Sequence, residues 1–447
     1  MLASRRPDTA ELVEMMLKLG CTATINAKDA IGQTALAHAA ESGSTEAVRI
    51  LLGVEGIDHS CLGAYGRTPL MLAAERGCNG IVALLLEVEG IKFDCRDIEG
   101  KTALAHAILN GHVKICQDLL MAESTSASYT TSEGWNFYLM LAAAAGNATV
   151  IRSVLQLGHF DVNARDIHHC TALAYAVGSK SYGAVEALLE VEGVDIHCLD
   201  KQGRTLLMEA ARRGEVMMVN RFLRLGLGAN INTTDIRGST ALAHALVRGG
   251  SKEVVRMLLG VEGTDYNCVD ARGQTPLMMA ATQGYDDIVA LLLEREGIKV
   301  DFRDTQLDIN TRDIHYCTAL TYAIGSRSDD AVEALLEVEG IDIHCFDRQG
   351  RTPLMNAVRW GRVEIAKRFI GLGLGANINA KDNEGMTVLS YAVLKRYRND
   401  LEVVSALLKV EGIDLSVRDV KGRTPLMVAI ENRNDECAEL LRKAGAS

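Results

Sequence analysis

Histidine and cysteine lie side by side at four places: His168-His169-Cys170, His197-Cys198, His315-Tyr316-Cys317 and His344-Cys345. Imidazole and thiolate are common zinc donors, and zinc needs about four ligands converging at ~2.0–2.3 Å. Each phrase here is a copy of another in the same register, and no Cys-x-x-Cys pair occurs. Copies in register fall on neighbouring tips of an array, so these residues are assigned to turns and no metal is expected. Nucleophilic catalysis meets the same objection. Histidines, cysteines and serines recur by register, without a Gly-x-Ser-x-Gly elbow, a phosphate-binding glycine loop or a unique carboxylate pair. The chain is therefore expected to be no enzyme and to need no cofactor.

The elements that carry these residues are set by a word that returns about every 34 residues in two alternating spellings. One reads Thr34-Ala-Leu-Ala-His38, returning at Thr102…His106, Thr171…Tyr175, Thr240…His244, Thr318…Tyr322 and Thr387…Tyr391. The other reads Thr68-Pro-Leu-Met71, returning at Phe137…Met140, Thr205…Met208, Thr275…Met278, Thr352…Met355 and Thr424…Met427. A fixed period of this length means one supersecondary unit copied many times. Each unit begins with Asp, Gly and Thr, as in Asp200-Lys-Gln-Gly203-Arg-Thr205, and continues into an Ala-rich stretch. A Gly follows nine residues after the Thr (Gly43, Gly77, Gly111, Gly214, Gly284, Gly361), then a Val/Leu-rich stretch with apolar spacing of three and four. This is the pattern of a short helix, a turn, a second helix with one buried face, and a β-type turn. The Thr takes an N-cap or first-turn position, with Pro tolerated after it. Small-then-large pairs such as Ala37-His38, facing repeats with Met71 or Met208, read as neighbouring helices sharing a constant volume.

Asp-x-x-Gly-x-Thr-Pro-Leu, the mid-unit Gly, the Leu-Leu of the second helix and the closing Ala-Asn-Ile-Asn232 resemble the ankyrin-repeat family. The resemblance covers residues 8–447 as about twelve repeats after a leading half-repeat. It implies an all-α solenoid of helix-turn-helix units joined by β-hairpin-like turns. The chain departs from the family at one slot. The His of Thr-Pro-Leu-His is replaced by Ala, Ser, Thr or Met, and His or Tyr comes one residue later in alternate repeats.

The whole of 1–447 is expected to form a single array: a half-repeat cap at 8–29, repeats over 30–121, 138–297 and 314–432, and a cap helix at 433–447. Three segments break the period. They are an irregular junction at 122–137, an inserted hairpin-like loop at 298–313 and a basic turn at 395–400. Residues 165–232 match 312–379 without a gap and are identical at 48 of 68 positions, which points to duplication of a four-repeat block.

Bulk properties narrow the function. A net charge of −11 without runs of like charge disfavours nucleic acid as the main partner. No apolar stretch reaches the ~18–20 residues of a membrane span. Met1-Leu-Ala-Ser-Arg-Arg-Pro7 lacks the apolar segment of a secretion signal. Eleven cysteines, five of them in a slot that elsewhere holds Ala or Thr, read as small packing residues in a reducing compartment. A cytoplasmic protein is expected, with the nucleus as alternative.

The resemblance implies a protein–protein interaction module or scaffold, binding with the turn tips and first helices that line a concave face. On this sequence those slots hold Arg67, Lys101, Arg204, Gln274, Arg351 and Arg423 at the tips, with Arg212, Arg213, Arg359 and Trp360 at the helix ends. A basic face in an acidic protein would favour an acidic partner segment, and Trp360 is the aromatic anchor expected at an exposed slot. The alternatives are the substrate-recruiting part of a larger enzyme or ubiquitin-ligase adaptor, or a self-associating scaffold. The oligomeric state is left open, with a monomer favoured.

Overall fold

The computed structural model describes residues 10–124, 132–156, 160–247, 250–294, 309–373, 377–394 and 400–446. Among them the regular structure is helical throughout, as helix pairs joined by turns, with no strand. The chain groups into two compact units, 1–206 and 207–447, the boundary falling at the start of the helix Leu206–Arg213. Within each unit the first helix of a repeat packs on the first helix of the next, and second helices pack likewise.

Threonine starts the first helices as an N-cap. Thr34, Thr68, Thr102, Thr171 and Thr275 have extended backbones, and each Oγ1 accepts the N–H three residues on at 3.2–3.3 Å. This satisfies one of the backbone donors that every helix start leaves over. The helices that follow are nearly all buried: Leu36, Ala37, Ala39 and Ala40 expose no surface. Ala at these positions lets helix axes approach closely. The second helices bury one face only, as with Ala47, Val48 and Leu51 of the helix Thr45–Leu52.

The mid-repeat turn needs a left-handed backbone, which Gly43 (φ 79°) and Gly77 (φ 77°) adopt without steric cost. Lys180, Arg327 and Arg433 hold the same conformation in that slot, at φ 54–65°. A second Gly slot, two residues before the Thr, is filled by His169 and Tyr316 at φ 61° and 60°. The two copies of the duplicated block thus share both departures.

The caps and irregular segments follow in part. The leading half-repeat is the helix Ala10–Lys18 with a 3-10 turn at Cys21–Thr24. The closing helix Asp435–Lys443 is capped by Asn434 and exposes Glu436, Glu439 and Arg442 outward. At the 122–137 junction the helix Ser132–Ala144 runs through the slot where other repeats stop at Thr, because Phe137 cannot cap. Residues 125–131 of that junction, 298–308 of the inserted loop and 395–399 of the basic turn lie outside the described residues.

Candidate functional site

Except before Thr68, where the slot holds Gly63, and in the irregular Phe137 repeat, each turn is organised by the Asp five residues before the Thr. Its Oδ1 accepts two backbone N–H groups, as Asp97 does from Glu99 and Lys101 (both 2.9 Å) and Asp347 from Gln349 and Arg351 (both 2.9 Å). The second oxygen, Oδ2, is held in one of two ways. In the first spelling a side chain nine residues on reaches back to it. His38, His106 and His244 place Nε2 at 2.7–3.0 Å from Asp29, Asp97 and Asp235, while Tyr175, Tyr322 and Tyr391 donate at 2.5–2.6 Å to Asp166, Asp313 and Asp382. In three repeats of the second spelling the Arg just before the Thr does it: Arg204 to Asp200 (2.7 Å), Arg351 to Asp347 (2.9 Å) and Arg423 to Asp419 (2.8 Å), and at Asp347 the Asn356 amide, nine residues on, joins it at 3.0 Å. This corrects the reading of the alternation as packing volume. It is an alternation of who holds the aspartate.

The residues expected to form a basic face are placed accordingly. Besides Arg204, Arg351 and Arg423, Arg67 donates to Glu75 at 2.7 Å and Lys101 to Glu99 at 2.5 Å. Arg212 and Arg213 converge on Glu209 at 2.7 and 2.5 Å. Burial pushes the Glu209 carboxyl up, but the two guanidinium bonds outweigh it and hold the group below its ordinary value. Gln274 donates to the Tyr322 hydroxyl at 3.1 Å. Among the described residues, only Arg359 of the expected cations has a side chain without an ion pair. Trp360 is half-buried, not exposed: its ring lies over Gly325, where a Cβ would come within 3.2 Å of it. The face is therefore largely neutralised within the chain.

The histidine–cysteine phrases are turn residues. Among the described residues no group of three His, Cys, Asp or Glu side chains could hold a metal ion. Four of the five cysteines of the shared slot meet N-cap threonines instead; Cys61 Sγ lies 3.3 Å from Thr34 Oγ1, and Cys198 Sγ 3.4 Å from Thr171 Oγ1. Either the hydroxyl or the thiol can donate in these contacts. The irregular repeat replaces this contact with the Tyr138 hydroxyl, 2.9 Å from Thr102 Oγ1.

The chain is matched by a family model described as ankyrin repeats over segments 1–97, 54–132, 79–166, 173–270, 207–304, 261–347, 302–382 and 364–447. The chain belongs to the ankyrin-repeat family. It is 37% identical to mouse Rabankyrin-5 over 102 residues, a match spanning 22% of this chain and 8% of that protein. It is 33% identical over 103 residues to the I-Kappa-B like protein C2 of Microplitis demolitor bracovirus, spanning 23% of this chain and 55% of the relative. Among solved structures it is similar to the ankyrin repeat domain of Bcl-3, with 28% identity and a TM-score of 0.42 over 54% of this chain and 99% of that one. The matches to these protein relatives thus span 8% and 55% of their lengths.

The ankyrin turns carry a feature that sequence reasoning missed. Ile98, Ile167, Ile236, Ile314 and Val420, all four residues before the Thr, are 54–83% exposed. The signal was legible as an aliphatic residue at the tip of a polar turn, masked by the attention given to charge. Backbone bonds between successive tips hold these turns, as Ile98 N–H donates to Tyr65 O (3.0 Å) and Ile314 N–H to Arg272 O (2.9 Å).

The thiols of the ankyrin array are shielded. Burial pushes Cys116 up to about 12 and Cys170 to about 11, the latter aided by Asp166 and Asp200. The thiolate is the reactive species, so Cys170 is expected to react with iodoacetamide at pH 7.5 about three-hundred-fold more slowly than a free cysteine of pKa ~8.5. Mass-spectrometric labelling with and without guanidinium measures this, and native labelling at the free-cysteine rate would contradict it.

Proposed function

We propose that this ankyrin chain is a non-enzymatic binding module that engages a partner protein along its turn tips and the adjoining edge of its first helices. The observation that carries this reading is the set of exposed aliphatic tips, each on a turn fixed by an aspartate and by backbone bonds to its neighbour. Ordered apolar side chains in water offer contact area at little entropic cost, which is what a binding surface requires. Charge plays the smaller part, since most tip cations are paired within the chain. Arg359 remains as the unpaired cation supporting an acidic element in the partner. The ten cysteines whose side chains are described form no disulfide, which fits a reducing compartment and the proposed cytoplasmic location.

Substituting Ile98→Lys and Ile167→Lys together is expected to lower recovery of captured partners at least tenfold while leaving the thermal melt within a few degrees of the parent, since both side chains are solvated. Affinity capture from cell extract with quantitative mass spectrometry reads this. Undiminished recovery would remove the tips as the binding face. Replacing Arg212, Arg351, Arg359 and Trp360 together tests the charge contribution in the same assay.

A further inference from the structure

The duplicated block carries one surface twice, once in each compact unit. Its opening stretches, residues 165–205 and 312–352, each hold two successive turns. In the first copy Ile167 stands at the leading turn and Lys201 in the same slot of the next; in the second copy they are Ile314 and Arg348. A backbone bond joins the two turns in both copies. Lys201 N–H donates to His168 O at 2.9 Å, and Arg348 N–H to His315 O at 3.0 Å. Chains bonded in this way run about 4.8 Å apart, so each exposed isoleucine stands beside an exposed cation. Two residues before the cation a second large apolar side chain meets solvent, Leu199 at 41% and Phe346 at 39% exposure.

The cations are free because the carboxylates next to them are taken. Asp166 and Asp313 each accept two N–H groups of their own turn and the hydroxyl of Tyr175 or Tyr322. Asp200 and Asp347 each accept two more N–H groups and the guanidinium of Arg204 or Arg351. Arg359 is the unpaired cation among the slots that the family resemblance implies. Outside those slots, Lys201 and Arg348 likewise make no ion pair among the described residues, since Asp200 and Asp347 pair with the arginines. The turns between the two copies lack the arrangement: the partner of Ile236 in that slot is Ala271, whose N–H donates to Arg237 O at 2.7 Å.

Two apolar side chains around one uncompensated cation fit a segment of similar make-up and opposite sign. Contact with the isoleucine and with Leu199 or Phe346 supplies affinity. An exposed ion pair adds little energy but fixes orientation and excludes wrong partners. A basic segment would meet like charge, and a wholly apolar one would cover the cation without answering it. An extended chain advances ~3.3–3.4 Å per residue, so a carboxylate within two positions of a large apolar side chain reaches both features.

We propose that each copy docks one acidic–apolar segment of a partner protein, so that a single chain binds the same segment twice. The proposal rests on the binding-module reading above and adds the partner's chemistry and number. A random linear dodecapeptide phage library is panned on the full chain, and a selected peptide is titrated by calorimetry into the parent, Lys201→Glu, Arg348→Glu and the double variant. Lys409→Glu, at an exposed cation away from these turns, controls for net charge. All variants are checked by circular dichroism and thermal melt; the changed side chains are solvated, so the folds should hold. The expected peptides carry Asp or Glu within two positions of Leu, Ile, Met or Phe, and two bind per chain. Either reversal leaves one per chain, the double variant weakens binding at least tenfold, and Lys409→Glu still binds two. Peptides without that pair of residues, one peptide per parent chain, or two still bound after either reversal would overturn the duplicated sites. Loss of such a peptide on joint Ile98→Lys and Ile167→Lys substitution would then leave the binding module standing. Its retention there, or a panning that selects nothing, would overturn the tip-binding reading as well.

Discussion

Asp97→Ala is expected to destabilise the first unit by about 3–5 kcal/mol, more than any other single change at its turns. The Asp97 side chain is 1% exposed, and removing it orphans the N–H groups of Glu99 and Lys101 together with the His106 ring, itself 3% exposed. Asp97→Asn keeps an acceptor for the two N–H groups and a donor for the imidazole, so it should cost about 1–2 kcal/mol. The carboxyl also sets a pH dependence. Burial raises it, but the Lys101 N–H, the His106 ring and the Glu99 N–H outweigh burial and hold it below its ordinary value. A depressed folded-state value stabilises at pH above the unfolded value of ~3.9, and the contribution is lost as pH falls through the folded one. Guanidinium midpoints should therefore stay level in this respect from pH 8 to 5 and drop below about pH 4, with a smaller acid drop in Asp97→Asn. An alanine variant that melts with the parent, or an equal acid drop in both proteins, would refute the role given to this side chain.

Phe369→Ala should cost about 3–5 kcal/mol by the cavity it leaves. Phe369 exposes no surface, and it lies on the helix Val363–Gly371 with Ile365 and Ala366 on the same buried face. Leu51, Leu85, Leu119 and Leu188 fill the matching slot in other repeats, so Phe369→Leu should be tolerated for less than about 1.5 kcal/mol. Phe222, the duplicate at the same slot and equally buried, gives an internal replicate. Equilibrium denaturation of the two Phe369 variants measures both claims. A Leu variant as damaged as the Ala variant would mean that the aromatic shape, not the volume, is what the slot needs.

The repeat, its helix starts and its turns were legible because each rests on local chemistry. Thr34 caps because its hydroxyl reaches an N–H three residues away, and Gly43 turns the chain because its missing Cβ permits the left-handed backbone. The work of His38 was harder to see, since its partner Asp29 scarcely varies among the repeats and a constant residue draws no notice. The signal lay in exclusion. Repeats with His or Tyr four residues after the Thr lack Arg just before it, and the repeats with Arg67, Arg204, Arg351 or Arg423 carry Leu72, Glu209, Asn356 or Val428 instead. The basic face misled for a related reason. Net formal charge at a slot says nothing of whether a carboxylate already holds it, and only the folded turn shows Arg351 on Asp347.

One contact repeats only in alternate units. Asn26 donates to Gly56 O and accepts from the Asp58 N–H, and Asn163, Asn232, Asn310 and Asn379 make the same bridge to the turn about 30 residues on. Together with the alternating hold on the aspartate, this makes two consecutive repeats the inheritable unit. Gene slippage that adds or removes a single repeat would set like beside like and leave a bridge without its far bank, whereas slippage by a pair keeps the pattern in phase. The block duplicated in this chain contains four repeats, an even number, and parity of this kind is what selection on such a lattice would preserve.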